Sequence, residues 1–317
     1  DLKKNNIIKF NRNIFQNKKI EKFSKDSKDI AKSLQLTFEK IVMQIINRLQ
    51  KKVPTRNLVM AGGCAMNGLV NGKIFKESKF KNHFIQPAST DDGTSLGAAY
   101  YCWHNYLKKK ERFTMKHSFW GPSYDEEAIL KKINEKNLKF KKFDNTNDLL
   151  KFAAKIIADS KVVGWYQGKS EWGSRALGNR SILANPKDNK INDILNRRLN
   201  RTEFMPFAPV TPLEFANKCY VGWKKNHITS KFMTRTYKCT KSFIKRHPAV
   251  VHIDNTARPQ VVDINSNKNM FKILKSYKKY SKVPILINTS LNVHEEPIVC
   301  DYNDAIRAFK SSRLDFL

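Results

Sequence analysis

Apolar residues recur at Ile30, Leu34, Phe38, Ile41, Val42, Ile45, Ile46 and Leu49. This is the spacing of one helix face, and it predicts a helix with a single buried stripe, capped by Asp26 or Ser27 and ended by Pro54. The pattern then changes. Asn57-Leu58-Val59-Met60 reads as a short strand that runs into the turn Ala61-Gly62-Gly63-Cys64-Ala65-Met66-Asn67. A second strand, His83 to Pro87, runs into Ser89-Thr90-Asp91-Asp92-Gly93-Thr94, and Ser95 to Tyr101 reads as a helix of small residues. Twice, a strand delivers a turn of small or acidic residues that opens a helix. α/β proteins present ligands in this way, at the carboxyl ends of strands.

Between Lys108 and Ser118 the chain is polar and loses periodicity, which places a domain boundary near residue 115 and predicts two domains, 1–115 and 116–317. A new helix follows Gly121-Pro122-Ser123-Tyr124-Asp125. Asn147 to Ile157 reads as a helix leading to the strand Val162 to Tyr166. Further strands are expected at Ala249–Ile253, Gln260–Ile264 and Pro284–Ile287, and helices near Asp188–Leu199, Met270–Tyr280 and Asn303–Ser311. Both parts mix strands and helices, so the fold class is α/β (α+β). Residues 1 to about 25 carry little pattern.

Composition sharpens this only in places. The 317 residues fit two domains, and 40% hydrophobic residues exclude wholesale disorder. Apolar runs such as Val283 to Ile287 are far below the ~20 residues needed to cross a bilayer, so no membrane helix is expected. The net charge is +32, yet only 14 of the 60 basic residues are Arg, and the Lys are spread along the chain beside Asn. A dedicated nucleic-acid binder gathers its cations on one face among aromatics. Lys and Asn share AT-rich codons, so the charge follows from genome composition and carries little functional weight. Cys64, Cys102, Cys219, Cys239 and Cys300 stand far apart with no CxxC pair, which fits a reducing cytoplasm. Asp1-Leu2-Lys3-Lys4 has neither an initiator Met nor a signal-peptide core. The expectation is a cytoplasmic chain that begins partway through a longer protein.

Three segments of the second part carry chemistry. The first is Gly168-Lys169-Ser170-Glu171-Trp172-Gly173-Ser174-Arg175-Ala176-Leu177-Gly178-Asn179-Arg180-Ser181, at a strand end. Its glycines let backbone N–H groups approach a ligand, its arginines match phosphate or carboxylate oxygens, and Glu171 orients a guanidinium or binds an amide or ribose hydroxyl. Trp172, Ala176 and Leu177 between the charges argue for a packed loop over a solvated one. The second is His252-Ile253-Asp254-Asn255-Thr256-Ala257-Arg258, read as a strand end and turn. His252 and Asp254 form either a general base with its carboxylate or, more often for such a pair, a structural hydrogen bond. Arg258 is the better ligand candidate. The third is Asn288-Thr289-Ser290-Leu291-Asn292, emerging from the most hydrophobic strand, where amides and hydroxyls can read a carboxamide or a nucleobase edge, or form an ordinary turn. In the first part, Gly62 and Gly63 suit a phosphate- or nucleoside-facing turn. Asp91 and Asp92 offer oxygens to Mg²⁺ or Fe²⁺, or cap a helix.

In order and spacing these segments resemble the carbamoyltransferase family of the NodU and antibiotic O-carbamoyltransferase type. The series runs from Ala61–Asn67 and Gln86–Ala99 through Gly164–Lys169, Gly173–Leu183, Met205–Pro209 and Thr256–Gln260 to Asn288–Asn292 and Glu296–Val299. The resemblance implies the C-terminal part of an actin-like ATPase-fold domain followed by a YrdC-like domain. It also implies that carbamoyl phosphate and ATP with Mg²⁺ give carbamoyl-adenylate, whose carbamoyl group passes to a hydroxyl of a small-molecule acceptor with help from Fe²⁺ or another divalent metal. On this reading Lys169, Arg175 and Arg258 are catalytic. Glu171, Arg180, Ser181, Asn288, Ser290 and Asn292 bind substrate, Gly62, Gly63 and Asn67 line the nucleotide, and Asp91 is a metal ligand. The family's metal-binding histidine pair lies upstream, and no HxxxH occurs here. The expectation is therefore donor binding without complete transfer. Rival readings are threonylcarbamoyl-type tRNA modification and a non-enzymatic polyanion- or RNA-binding protein.

Overall fold

The computed structural model describes residue 21, residues 24–201 and residues 206–317. Met205 of the Met205–Pro209 segment therefore lies outside the described residues. Helix α1 (Lys25–Lys52) starts at Ser24, whose hydroxyl accepts the Ser27 N–H at 3.2 Å, so the cap stands upstream of the expected Asp26 or Ser27. It stops at Val53, ahead of Pro54. Of α1 only Met43 and Ile46 are buried, while Leu34, Ile45 and Leu49 of the expected stripe are exposed. Helical spacing tells which face is apolar, not whether anything covers it. Strand β1 (Asn57–Met60), helix α2 (Gly68–Glu77), strand β2 (Asn82–Ile85) and helix α3 (Thr94–Tyr101) follow.

The chain divides into two compact units. The smaller holds the residues up to Leu58 together with Gly72–Asn82, and the larger holds Val59–Asn71 and His83–Leu317. Within the smaller unit Met43, Ile46, Leu58, Ile74 and Phe80 are buried. Lys73 bridges to Glu39 at 3.1 Å, and Gln50 Oε1 accepts the Lys79 N–H.

The larger unit continues through α4 (Glu126–Glu135), α5 (Thr146–Ala158), β3 (Val163–Tyr166), β4 (Arg180–Ala184), α6 (Lys190–Arg198), β5 (Ala208–Pro212) and α7 (Ala216–Cys219). It ends with β6 (Tyr237–Lys238), α8 (Lys241–Arg246), β7 (Thr256–Ala257), β8 (Gln260–Val262), α9 (Lys268–Tyr277), β9 (Leu286–Ser290) and α10 (Tyr302–Ser311). Its main sheet has the order β3-β4-β9-β5-β8, antiparallel throughout except for the parallel pair β5–β8. Strand alternation sends Leu183, Val210, Val262 and Leu286 to one face, against Leu150 and Ile157 of α5 and Met270, Ile273 and Leu274 of α9. Ile182, Ala184, Val261 and Ile287 go to the other face, against Leu195 of α6, Ala216 of α7, Phe243 of α8 and Ala305 of α10. Each large side chain buried in this way contributes roughly 1.5–3 kcal/mol. The mixed α/β class expected from the pattern is the class observed. Among the described residues no helix is long and apolar enough to cross a membrane.

Three local expectations are corrected. Ala249–Ile253 is not a strand, because Pro248 opens a 3-10 turn over Pro248–Val250. His252 and Asp254 therefore stand in a turn and make no hydrogen bond to each other. Both instead bind Thr256, His252 Nδ1 at 3.2 Å from its Oγ1 and Asp254 Oδ1 accepting its N–H at 3.0 Å. Strand β9 runs to Ser290, so Asn288 and Ser290 lie in the strand and not beyond it.

His247 gives this core a pH dependence. It is 2% exposed, its Nε2 lies 3.2 Å from the Val283 carbonyl, and burial pushes its pKa down to about 4. The unfolded imidazole takes up a proton near pH 6.5 and the folded one resists, so stability is present above that pH and lost as pH falls towards 4. Urea unfolding should show up to about 3 kcal/mol of loss across this window from this site. His247→Gln should make it shallower by this site's share, with His227 and His252, also pushed down by burial, supplying the rest, and an unchanged slope in that variant would contradict the assignment.

Candidate functional site

The segment after β3 is folded by two buried charges that both face backbone. Glu171 Oε1 accepts the N–H groups of Leu177 at 2.7 Å, Asn179 at 2.7 Å and Arg180 at 3.1 Å. Arg180 is fully buried, and its guanidinium donates to five carbonyls. Nε donates to Cys300, Nη1 to Gln167 and Asn179, and Nη2 to Pro122 and Gly168, all between 2.8 and 3.3 Å. Tyr166 covers its face at 3.7 Å. Burial pushes the Glu171 pKa up and the Arg180 pKa down.

Amide side chains anchor the loop from below. Asn179 Nδ2 donates to the Lys169 carbonyl at 2.7 Å, and Asn267 Nδ2 donates to Asn179 Oδ1 at 3.0 Å. Gln167 Nε2 reaches the Gly178 carbonyl at 2.8 Å, and Gln260 Nε2 reaches that of Leu177 at 2.7 Å. Asn288 Nδ2 donates to Gln260 Oε1 at 2.7 Å and to the Ala176 carbonyl at 3.2 Å. Asn288 is 1% exposed and its Oδ1 has no donor. Gly173 lets the loop touch the first turn region. At φ +119° it adopts a conformation that side chains disfavour, and a Cβ there would sit 2.7 Å from the Pro87 carbonyl oxygen. Ser174 Oγ reaches Met66 Sδ at 3.8 Å.

Against this background two arginines stand apart. Among the described residues neither Arg175 nor Arg258 makes a hydrogen bond or an ion pair, and the Nε of each is buried without a partner. Burial lowers the pKa of both. Arg258 is pushed down to about 9, first by burial and then by the positive charge of Arg175 beside it. Its stem lies along Gly68, where a Cβ would be 3.4 Å from Arg258 Cδ. Two half-buried cations within electrostatic reach of each other, with no counter-ion among the described residues, repel until an anion joins them. This is the chemistry of an anion site.

The carbamoyltransferase C-terminal family model matches residues 154–317, and the N-terminal model matches residues 3–100. The chain belongs to the carbamoyltransferase family. The nodulation protein NolO of Bradyrhizobium diazoefficiens is 34% identical over 96% of this chain and 56% of its own length. The protein sll1178 of Synechocystis is 33% identical over 91% of this chain and 51% of its own length. Nodulation protein U of Azorhizobium caulinodans is 29% identical over 75% of this chain and 40% of its own length. The chain thus spans about half the length of these relatives. Among solved structures, full-length HypF in a phosphate- and nucleotide-bound form aligns with a TM-score of 0.40 and 19% identity, over 53% of this chain and 24% of that one.

The carbamoyltransferase chain brings some of the expected site residues together and commits others to structure. Arg258 feels the positive charge of Arg175, and Asn288 donates to the carbonyl of Ala176, next to Arg175 in the chain. Lys169 is exposed, and only its carbonyl is engaged. Arg180 has no donor left for a substrate, and Ser181 Oγ accepts the Gly178 N–H at 3.0 Å. Ser290 donates to Asn292 Oδ1 and Asn292 to the Glu296 carbonyl, each at 2.7 Å. Gly62, at φ +97°, donates its N–H to Ser89, and Asn67 Oδ1 accepts the Val70 N–H at the start of α2. Asp91 is exposed on a 3-10 turn, and no three His, Cys, Asp or Glu side chains gather as a metal site among the described residues. The donor set present does not fit a metal centre by itself. Gln260 and Asn267, which hold the loop, were not singled out by the sequence, although Gln260 closes the Thr256–Gln260 segment.

The partner census separates the arginines experimentally. Arg180→Lys should cost about 3–5 kcal/mol of stability, because it leaves buried carbonyls without donors. Arg175→Ala and Arg258→Met should leave the melting temperature unchanged or raised. Inorganic phosphate at ~100 times its Kd should stabilise the wild type by about 2.7 kcal/mol. The same addition should do nothing for those two variants, and equal phosphate stabilisation in all three proteins would place the anion elsewhere.

Proposed function

We propose that this chain activates a carbamoyl group at the Arg175–Arg258 site for transfer to a hydroxyl of a small molecule. The observation that carries the reading is the pair of half-buried arginines, each with a buried, unpartnered Nε and no counter-ion among the described residues. Carbamoyl phosphate offers a dianion to these cations and an amide N–H to the unfilled Asn288 Oδ1. Water hydrolyses carbamoyl phosphate to phosphate and carbamate, and a carbamate oxygen then attacks the α-phosphorus of ATP and expels pyrophosphate. The acceptor hydroxyl then attacks the carbonyl carbon and AMP leaves. Preorganised cations that face the developing phosphate charge supply the main stabilisation, without reorganisation during the reaction. Lys169, exposed and with no partner for its amine among the described residues, is placed to meet the triphosphate, which arrives with its own Mg²⁺. Glu171 and Arg180 act as positioning residues that fix the loop, in place of the direct substrate contacts first assigned to them.

The contacts of the loop with Met66 and Pro87 support a short path to the turn that carries Gly62, Gly63 and Asn67, which we assign to the adenylate. A YrdC-like activating part that follows an actin-like transferase part is consistent with this arrangement.

Pyrophosphate release from ATP should depend on carbamoyl phosphate. Arg175→Ala and Arg258→Ala should each lower the rate by about 1.5–3 kcal/mol, or roughly 10- to 150-fold. Release that needs no carbamoyl phosphate would sink the proposal. RNA affinity that falls steeply with salt and ignores both substitutions would favour the polyanion reading.

A further inference from the structure

Helix α6 closes on a left-handed residue, Asn200 at φ +53°. The Asn200 N–H donates to the Arg197 carbonyl at 3.1 Å, and the Arg201 N–H donates to that of Asn196 at 2.9 Å. This closure folds the residue after the left-handed one back against the last turn, so Arg201 lies beside Asn196. Asn192 stands one turn earlier on the same face, and both asparagines are 8% exposed. Asn192 Oδ1, Asn196 Oδ1 and Asn196 Nδ2 are buried with no hydrogen-bond partner. Among the described residues Asn196 is the one side chain with two buried polar atoms left unpaired. Protein interiors pair such atoms with protein, water or a ligand. Arg201 adds charge to the cluster. It is half-buried, burial lowers its pKa, and no carboxylate pairs with it among the described residues. Its guanidinium lies 5.3 Å from the centre of the Phe207 ring and makes one long hydrogen bond, from Nη2 to Thr289 Oγ1 at 3.4 Å. Thr289 stands opposite Ile182 in the β4–β9 ladder and so points to the α6 face of the sheet, whereas Asn288 points to the other.

We infer that Asn192, Asn196 and Arg201 form a second anion site, for a small monoanion of the carbonic-acid type, bicarbonate or carbamate. One guanidinium matches one negative charge, and its planar fork with the Asn196 amide N–H groups suits a pair of carboxylate-like oxygens. The two unpaired Oδ1 atoms only accept, so the guest brings an N–H or O–H of its own. Acetate and chloride lack that donor. Asparagines nine-tenths buried leave room for a few atoms and no more. The inference rests on the unpaired amides and is independent of the phosphate chemistry proposed for Arg175 and Arg258.

The test is ¹³C NMR of the full chain in labelled ammonium bicarbonate, where bicarbonate and carbamate coexist and give separate signals. Thermal unfolding in potassium bicarbonate or potassium acetate, at matched pH and ionic strength, accompanies it. Broadening of one of the two signals is expected, and which one broadens names the guest. Bicarbonate should raise the melting temperature more than acetate does. Arg201→Met and Asn196→Leu should each weaken binding roughly tenfold or more. Asn196→Leu should not lower the melting temperature of the free chain, because the amide it removes has nothing to bond. Arg175→Ala should leave the binding intact. Four results would overturn the inference: neither signal broadened, which leaves water as the partner of the amides, binding that survives both substitutions, binding lost in Arg175→Ala, or acetate bound as well as bicarbonate.

Discussion

The site rests on two opposite charges that do not touch each other. Glu171 and Arg180 are both withdrawn from water, yet the carboxylate is held by three N–H groups and the guanidinium by five carbonyls of the chain around it. Burying an ion costs several kcal/mol, and each charge-assisted hydrogen bond returns about 1.5–3 kcal/mol. Five such bonds outweigh the penalty on Arg180. A direct Glu–Arg pair would have satisfied fewer groups and left the loop backbone without partners. Backbone solvation of the two charges therefore determines the path of residues 167–180, and that path decides where Arg175 is presented.

The comparison among arginines separates structure from function. Arg175, Arg180 and Arg258 all have pKa values lowered by burial, so burial alone does not distinguish them. Partners do. Arg180 has spent every donor on the protein, whereas among the described residues Arg175 and Arg258 have spent none and repel each other. A fold that merely needed cations for packing would satisfy them, as it satisfied Arg180. Two like charges left without a counter-ion among the described residues suit a third, negative body.

Much of this was legible in the sequence where local rules act. The helices at 146–158, 190–198, 268–277 and 302–311 follow from apolar spacing and from caps such as Asn145, Asn267 and Asp301. Strand β5 was not legible, because Pro209 and Pro212 lack the N–H that a central strand needs, and only its place between β9 and β8 makes it a strand. Strand β4 was hidden because its first residue, Arg180, reads as part of a polar loop. The roles of Arg175 and Arg180 were equally illegible. Five residues apart in one basic segment, they differ only in what surrounds them after folding.

Residues matched by the two family models are not merely adjacent in the chain. Asn71 Nδ2 donates to the Thr234 carbonyl at 2.7 Å, the Thr236 N–H donates to Gly68, and Arg258 lies along Gly68. Gly173 meets Pro87 at a distance no other residue permits. The surroundings of Arg175 and Arg258 are therefore assembled from both matched regions within one compact unit. A shift of the turn at 62–68 would move the surface against which Arg258 is placed, and a shift of the loop would move Arg175. An anion held by the Arg258 head would act on a side chain whose stem is packed against Gly68. The geometry ties the placement of Arg258 to the glycine turn and the placement of Arg175 to the loop.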